Sequence, residues 1–149
     1  SQNLHDNSHK DARRARAAAE NIVPTTTGAA RATTDILPEL KDRFDGMAVR
    51  VPTPTGSLSD IVFQASRDTS AEEINEIFRE AAVQDRWQNI LAVNDEPIVS
   101  SDIVGRRESS IVDLEWTNVM QGRLVKVISW YDNEFGYCNR LVEQVLGLR

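Results

Sequence analysis

Apolar residues recur with helical spacing in the segment SAEEINEIFREAAVQ, residues 70–84. They stand at i, i+3, i+4 and i+7 and so form one stripe on a helix: Ile74, Ile77, Phe78 and Ala81. Ser70 and Glu73 make the S-x-x-E capping box that marks a helix start. The pattern predicts an amphipathic helix over this segment.

A similar pattern closes the chain in NEFGYCNRLVEQVLGL. Its apolar members are separated by three or four residues: Phe135, Cys138, Val142 and Val145. This predicts a C-terminal helix and places Cys138 on the buried stripe, as a structural thiol. Residues 28–37, GAARATTDIL, predict a shorter helix that ends before Pro38 and has Thr27 at or near its N-cap.

Strand patterns lie between these helices. In GMAVRVPTP the apolar residues at 47, 49 and 51 alternate with Ala48 and Arg50, which is strand spacing. A second strand over 57–66 follows the turn-like TPTGS, so we predict that the two strands form a hairpin. Further strand candidates are residues 98–103, 109–114 and 123–131. This order of elements predicts an α+β domain, with a mostly antiparallel mixed sheet and helices on one face.

Composition and charge narrow the function classes. The chain has 149 residues, of which 40% are hydrophobic, as expected of one globular domain. A formal net charge of −6 disfavours nucleic acid and anionic membranes as partners. No apolar run approaches the roughly 18 residues of a membrane span. The single cysteine excludes an internal disulfide and fits a reducing compartment, and no stretch resembles a signal peptide, so we expect a cytoplasmic protein.

Two segments carry candidate anion chemistry. The first is a basic cluster: Lys10, Arg13, Arg14 and Arg16. Arginine forks suit phosphate, although a solvated charged face or a set of salt bridges is the more ordinary interpretation of such a cluster. The second, PTTTG at 24–28, offers hydroxyl and N–H groups at a helix start, which is either an anion site or simply a capped helix. Together with Arg50, these segments predict a small phosphate-bearing ligand if the fold brings them together.

The segment SWYDNEFGYCNR, residues 129–140, joins a strand to a helix. One interpretation is a capped turn with packed aromatic residues. In the other, the Asn133 amide, which both donates and accepts, recognises a planar carboxamide. His5 and His9 have the i, i+4 spacing of zinc ligands, but no further ligand lies nearby, so no metal site is predicted.

Four segments, taken in order, resemble the phosphorylating, NAD-dependent glyceraldehyde-3-phosphate dehydrogenase family: HKDARRARAAAENIVPTTTGAARA, VRVPTPTGSLSD, EPIVSSDIVG and VKVISWYDNEFGYCNRLVEQV. The resemblance covers the whole chain and implies that residues 1–149 are the C-terminal part of the family's catalytic domain, beginning in its S-loop. The family's NAD-binding Rossmann domain, its nucleophilic cysteine and its activating histidine have no counterpart here. We therefore expect no catalytic residue in this chain and no dehydrogenase activity from it alone.

The resemblance also implies residue roles. The positions that match phosphate ligands of the family are Arg14, Thr27, Gly28 and Arg50, and those that match nicotinamide contacts are Asn133 and Tyr137. The implied reaction converts glyceraldehyde 3-phosphate, inorganic phosphate and NAD to 1,3-bisphosphoglycerate and NADH, in a homotetramer. Two alternatives are a non-enzymatic oligomerisation or binding module and an erythrose-4-phosphate dehydrogenase, although TTTGAA favours the glyceraldehyde phosphate enzyme over the latter.

Overall fold

In the computed structural model, which describes residues 2–147, the chain divides after Pro54 into two units. The first unit contains strand β1 (Val23–Thr26), helix α1 (Ala29–Ile36), a 3₁₀ turn (Pro38–Leu40) and strand β2 (Met47–Arg50). β1 and β2 pair antiparallel as a two-stranded sheet. The short helix at 28–37 is confirmed, beginning at Ala29.

Residues 24–26 of the PTTTG segment lie in strand β1, and only its last two residues adjoin the start of α1. Residues 11–20 form a segment of turns and bends, the turn segment. Main-chain hydrogen bonds hold this turn segment to the residues before it, from Ala18 N to Asn3 O at 2.9 Å and from Asn7 N to Ala15 O at 2.9 Å. The basic cluster is therefore displayed on a folded loop rather than on a helix.

The second unit, from Thr55 onward, contains a four-stranded sheet and two helices: β3 (Ser57–Gln64), α2 (Ala71–Ala82), β4 (Leu91–Asn94), β5 (Ser110–Met120), β6 (Leu124–Tyr131) and α3 (Phe135–Val145). The strand order is β3-β6-β5-β4, with β4 and β5 parallel and the other neighbours antiparallel. α2 packs against β4 and β5. This confirms the predicted α+β class with a mostly antiparallel mixed sheet.

The hydrophobic core of the second unit lies at the centre of this sheet. Its buried members come from β5, β6 and the 3₁₀ turn Ser100–Ile103: Ile103, Ile111, Val112, Leu114, Val125, Val127 and Ile128. Among residues 2–147, none of the helices combines the length and hydrophobicity that a membrane crossing requires.

The predicted hairpin between residues 46–51 and 57–66 is wrong. β2 pairs with β1, and β3 pairs with β6 along its whole length. Pro52 and Pro54 stand between the two strands, and proline has no N–H to donate to a ladder. The connection therefore separates the two strands instead of folding them onto each other.

The strand predicted at 98–103 is also wrong, because Ser100–Ile103 form a 3₁₀ turn. The Asp102 carboxylate accepts a hydrogen bond from Val99 N at 2.8 Å, and Asp102 N donates to Val99 O at 2.9 Å. Such local bonds compete with strand pairing. The other two candidates are confirmed as β5 and β6, whereas β4 was missed.

The helix predicted at 70–84 is confirmed as α2, and Ser70 Oγ accepts the N-capping bond from Glu73 N at 3.2 Å. The Glu73 carboxylate bonds to Arg67 at 2.5 Å and to Thr69 at 2.7 Å. These two donors, Arg67 first, lower the pKa of Glu73 to about 2. The carboxylate thus anchors the segment before the helix.

Candidate functional site

One face of the β1–β2 ladder is the location of two candidate phosphate residues, Arg14 and Arg50. Val23 and Thr25 are the buried residues of β1, and they alternate with more exposed neighbours. Val23 is paired with Arg50, and Thr25 with Ala48. Because residues directly opposite in an antiparallel pair share a face, Arg50 lies on the face of Val23 and Thr25.

Arg14 reaches the same face from the turn segment. Its Nε donates to Thr25 Oγ1 at 2.8 Å, and its Nη2 donates to the Thr26 carbonyl at 2.9 Å. The Arg14 side chain is 22% exposed. The structure therefore brings Arg14 and Arg50 to one face of the ladder, as the anion-site hypothesis requires.

Asp11 completes the network around Arg14. Its Oδ2 accepts a hydrogen bond from Thr25 Oγ1 at 3.2 Å and lies 3.6 Å from Arg14 Nε, while its Oδ1 accepts from Arg13 N at 2.9 Å. The Arg13 N–H is the largest cause that lowers the pKa of Asp11; desolvation opposes it, and Thr25 and Arg14 reinforce it. Asp11 is therefore an anion at neutral pH and fixes the turn from which Arg14 extends.

Sequence reasoning missed both Asp11 and Thr25. The local signal for Asp11 was the Asx-turn pattern, in which an aspartate side chain accepts a hydrogen bond from the main-chain N–H two residues later. The signal for Thr25 was strand alternation within PTTT. Both were hidden because the partners are 14 residues apart in sequence.

Thr27 and Gly28 lie where β1 passes into α1. Gly28 is the N-cap residue of α1, and Thr27, one residue earlier, accepts a hydrogen bond from Ala29 N at 3.1 Å through its Oγ1. A side chain added at Gly28 would meet no atom within 4 Å, so the space beside the helix start is open. Ala29 N is thus partnered, and the next N–H groups of the first turn, which have no partner inside a helix, are the donors that this end of α1 offers to an anion.

The candidate cations differ in how far they are already neutralised. Arg16 Nε lies 3.4 Å from Asp6 Oδ1, and Asp6 also accepts from Ala17 N at 2.8 Å. The salt-bridge interpretation therefore holds for Arg16. Within residues 2–147, the Arg50 guanidinium has no hydrogen bond or ion pair, and Arg14 has one ion pair, with Asp11 at 3.6 Å.

The two candidate nicotinamide residues belong to the second unit. Asn133 Oδ1 accepts a hydrogen bond from Ser57 Oγ at 3.1 Å, so its NH₂ group is the part that remains for a ligand. Tyr137, in the first turn of α3, is 66% exposed. An unshared amide donor and an exposed aromatic ring are groups that suit a planar, carbonyl-bearing heterocycle.

Asp132 holds the turn that carries Asn133. Its Oδ1 accepts from Glu134 N at 3.0 Å and Phe135 N at 2.8 Å, and its Oδ2 accepts from Gly105 N at 2.9 Å. These N–H groups, Gly105 first, lower the pKa of Asp132. The buried carboxylate thus caps α3 and ties it to the segment after the 3₁₀ turn.

Two further predictions concerned cysteine and histidine. Cys138 is exposed on α3, so the prediction of a buried thiol is wrong for this structure; Phe135, Val142 and Val145 on its stripe are exposed as well. His9 Nδ1 accepts a hydrogen bond from Asp11 N at 2.9 Å, so the His9 side chain is bonded to the first residue of the turn segment. No group of three or more potential metal-ligating side chains occurs within the described residues.

The family model and the relatives that match this chain all belong to the same family. The family model described as glyceraldehyde 3-phosphate dehydrogenase, C-terminal domain, matches residues 1–133. The chain is 54% identical over 142 residues to glyceraldehyde-3-phosphate dehydrogenase 2 of Streptomyces avermitilis and to glyceraldehyde-3-phosphate dehydrogenase 1 of Bacillus subtilis, covering 95% of this chain in both comparisons. It is 55% identical over 144 residues, or 97% of this chain, to the glyceraldehyde-3-phosphate dehydrogenase of Mycobacterium tuberculosis. The chain spans 42% of the length of these relatives.

Proposed function

Because the chain belongs to the glyceraldehyde-3-phosphate dehydrogenase family, represented by its C-terminal domain, we propose that it supplies phosphate-binding and nicotinamide-contacting residues of that enzyme. The reaction oxidises glyceraldehyde 3-phosphate with inorganic phosphate and NAD to 1,3-bisphosphoglycerate. The observation that carries the proposal is the placement of Arg14 and Arg50 on the same face of the β1–β2 ladder.

Phosphate is the ligand that best suits this face. Arg14 and Arg50 provide two guanidinium groups, and charge-assisted bonds from guanidinium to phosphate are strong and directional. Thr27 and Gly28 add the start of α1, whose dipole and N–H groups favour an anion. In this proposal the four residues bind the phosphate group of the substrate and the inorganic phosphate that attacks the acyl group.

The second unit supports a nicotinamide contact. With its oxygen already bonded to Ser57, Asn133 would donate its NH₂ to the carboxamide oxygen of NAD, and Tyr137 would pack beside the ring. NAD, when bound, accepts the hydride of the oxidation step. The part of Asn133 is to fix which face of the ring meets the substrate.

The nucleophile of the reaction is not among the residues assigned here. Cys138 is exposed on a helix, and the nucleophilic thiolate needs an activating base. We therefore expect the 149-residue chain to bind phosphate without oxidising aldehyde. A homotetramer in the cytoplasm is the assembly and location that accompany this proposal.

Titration of the chain with inorganic phosphate tests the proposal, with amide NMR signals of Gly28 and Ala29 as the reporters. Saturable shifts are expected, and Arg14→Gln or Arg50→Gln should weaken binding at least about tenfold, because each removes a charged hydrogen-bond donor. Arg43→Gln is the matched control, since Arg43 is an exposed arginine of the same unit. Absence of saturation, or an equal loss from all three variants, would contradict the proposal.

A further inference from the structure

We propose that Thr25 is a positioning residue, whose hydroxyl group and its bond to Asp11 orient Arg14 so that the terminal fork of the guanidinium faces the phosphate. This inference rests on the proposed function and deepens it, because it concerns how the same site is built. The observation behind the inference is that Arg14 uses two of its N–H donors for bonds within the protein and leaves the others for a ligand.

A guanidinium has five N–H donors along two useful edges, one formed by Nε and Nη2 and the other by Nη1 and Nη2. Arg14 uses the first edge for the protein, with Nε bonded to Thr25 Oγ1 at 2.8 Å and Nη2 bonded to Thr26 O at 2.9 Å. Within residues 2–147 the remaining donors, two on Nη1 and one on Nη2, have no partner. The terminal edge is therefore left for two oxygens of one ligand.

The direction of each hydrogen bond at Thr25 is fixed by chemistry. Arginine can only donate, so Thr25 Oγ1 must accept from Arg14 Nε. The Thr25 hydroxyl proton is then free to be donated to the Asp11 carboxylate, 3.2 Å away. Each group is therefore either donor or acceptor in each bond, and the series of hydrogen bonds from Arg14 through Thr25 to Asp11 has a single direction.

Burial strengthens this arrangement. Thr25 is 7% exposed on the inner face of β1, so water competes poorly for its hydroxyl group. A buried hydroxyl group without a partner is costly, which favours the bonded geometry over alternatives. A terminal fork held in this way matches a group that offers two oxygens side by side, as inorganic phosphate and phosphate monoesters both do.

The test compares inorganic phosphate affinity in Thr25→Val, Thr25→Ser and the wild-type chain. Valine keeps the branched shape and strand preference but removes the hydroxyl group, so we expect roughly three- to tenfold weaker binding. Serine retains the hydroxyl group and should restore most of the affinity. Thr34→Val is the control, because it removes another hydroxyl bond of the same unit, from Thr34 Oγ1 to Arg31 O at 2.9 Å, without touching Arg14.

A double variant distinguishes positioning from a general loss of structure. If Thr25 acts through Arg14, Thr25→Val should cost nothing further in the Arg14→Gln background. An undiminished cost there, or an unchanged affinity in Thr25→Val alone, would overturn the inference. Failure of Arg14→Gln itself to weaken binding would instead contradict the proposed function, so the two failures are separable.

A measurement on the wild-type chain keeps the inference testable even if Thr25→Val does not fold. Hydrogen exchange at Nε should be slower for Arg14, whose Nε–H is bonded to a buried hydroxyl group, than for exposed Arg43. Thr25→Ser should retain this protection. Equal exchange at the two arginines in the wild-type chain would overturn the inference.

Discussion

Inside each of the two units, a different kind of interaction fixes the structure. The second unit buries a run of aliphatic side chains where β5 and β6 pair, and it has Asp132 as a capping carboxylate beside this core. In the first unit the buried apolar residues are Ala17 and Val23, and Thr25 is buried with them. In the first unit, carboxylates that accept main-chain N–H bonds fix much of the backbone conformation.

This difference has a functional side. A hydrophobic core is non-directional, whereas hydrogen bonds to a carboxylate fix orientation. The candidate phosphate residues lie in the unit where directional bonds dominate, and Arg14 is oriented by one of those networks. Most of the buried aliphatic side chains thus lie in one unit, and the hydrogen bonds that orient Arg14 lie in the other.

The largest expected effect is loss of core packing in the second unit. Ile111 is 1% exposed on β5, so Ile111→Ala should lower the free energy of unfolding by about 2–5 kcal/mol, as it removes buried methyl groups and leaves a cavity. Urea unfolding followed by circular dichroism measures this. Ile77→Ala, at a residue that is 49% exposed on α2, is the control and should cost far less; similar losses would contradict the assigned core.

A smaller effect is expected from the polar cap of the same unit. Asp132→Ala removes the acceptor for Phe135 N and Gly105 N, so it should cost about 0.5–2 kcal/mol, the usual range for a helix cap. The Asn133 side-chain NMR signals should also broaden as the turn loosens. Asp60→Ala, at an exposed aspartate of β3, is a comparison in which α3 should stay intact. A loss no greater than at Asp60 would argue against the capping role.

The smallest expected effect is a loosening of the turn segment of the first unit at acidic pH. Main-chain N–H bonds lower the pKa of Asp6 through Ala17 first and that of Asp11 through Arg13 first. A lowered folded pKa means that the stabilisation is complete above the normal carboxylate range, about 3.9, and is lost as pH falls through the folded value. The turn segment should therefore loosen on acidification below that range, before the β5–β6 pairing is lost.

Amide NMR at a series of pH values measures this local change. The Ala17 and Arg13 N–H signals should titrate with midpoints below about 3.9, since each bonds directly to an aspartate. In Asp6→Asn the Ala17 signal should lose its titration while the Arg13 signal keeps it. Midpoints at or above the normal value would remove the distinction between the two units.

The sequence predicted best those elements whose signals are local. Ser70 and Glu73 lie within one helical turn of each other, and the apolar stripe behind them has a helical period, so α2 followed directly. The resemblance likewise identified the family. Strand pairing was harder to predict, because β2 and its partner β1 are separated in sequence by α1. Nothing within residues 46–51 indicates that β2 pairs with β1 rather than with β3.

The candidate site shows the same limit. Arg14 and Arg50 were identifiable as anion donors from residue type, but their common face depends on the pairing of Val23 with Arg50. Asp11 and Thr25 depend on a turn that brings residues 14 positions apart within hydrogen-bond distance. Residue chemistry can be predicted from sequence alone, whereas an arrangement set by non-local pairing cannot.

The two-edged use of Arg14 also restricts which cation can occupy position 14. An ammonium group is a compact charge without separate edges, so Arg14→Lys would retain the charge yet could not bond Thr25 and Thr26 while presenting a planar pair of donors outward. Charge and shape are therefore separate requirements at this position. An exchange that is conservative by charge is a disruptive one by geometry.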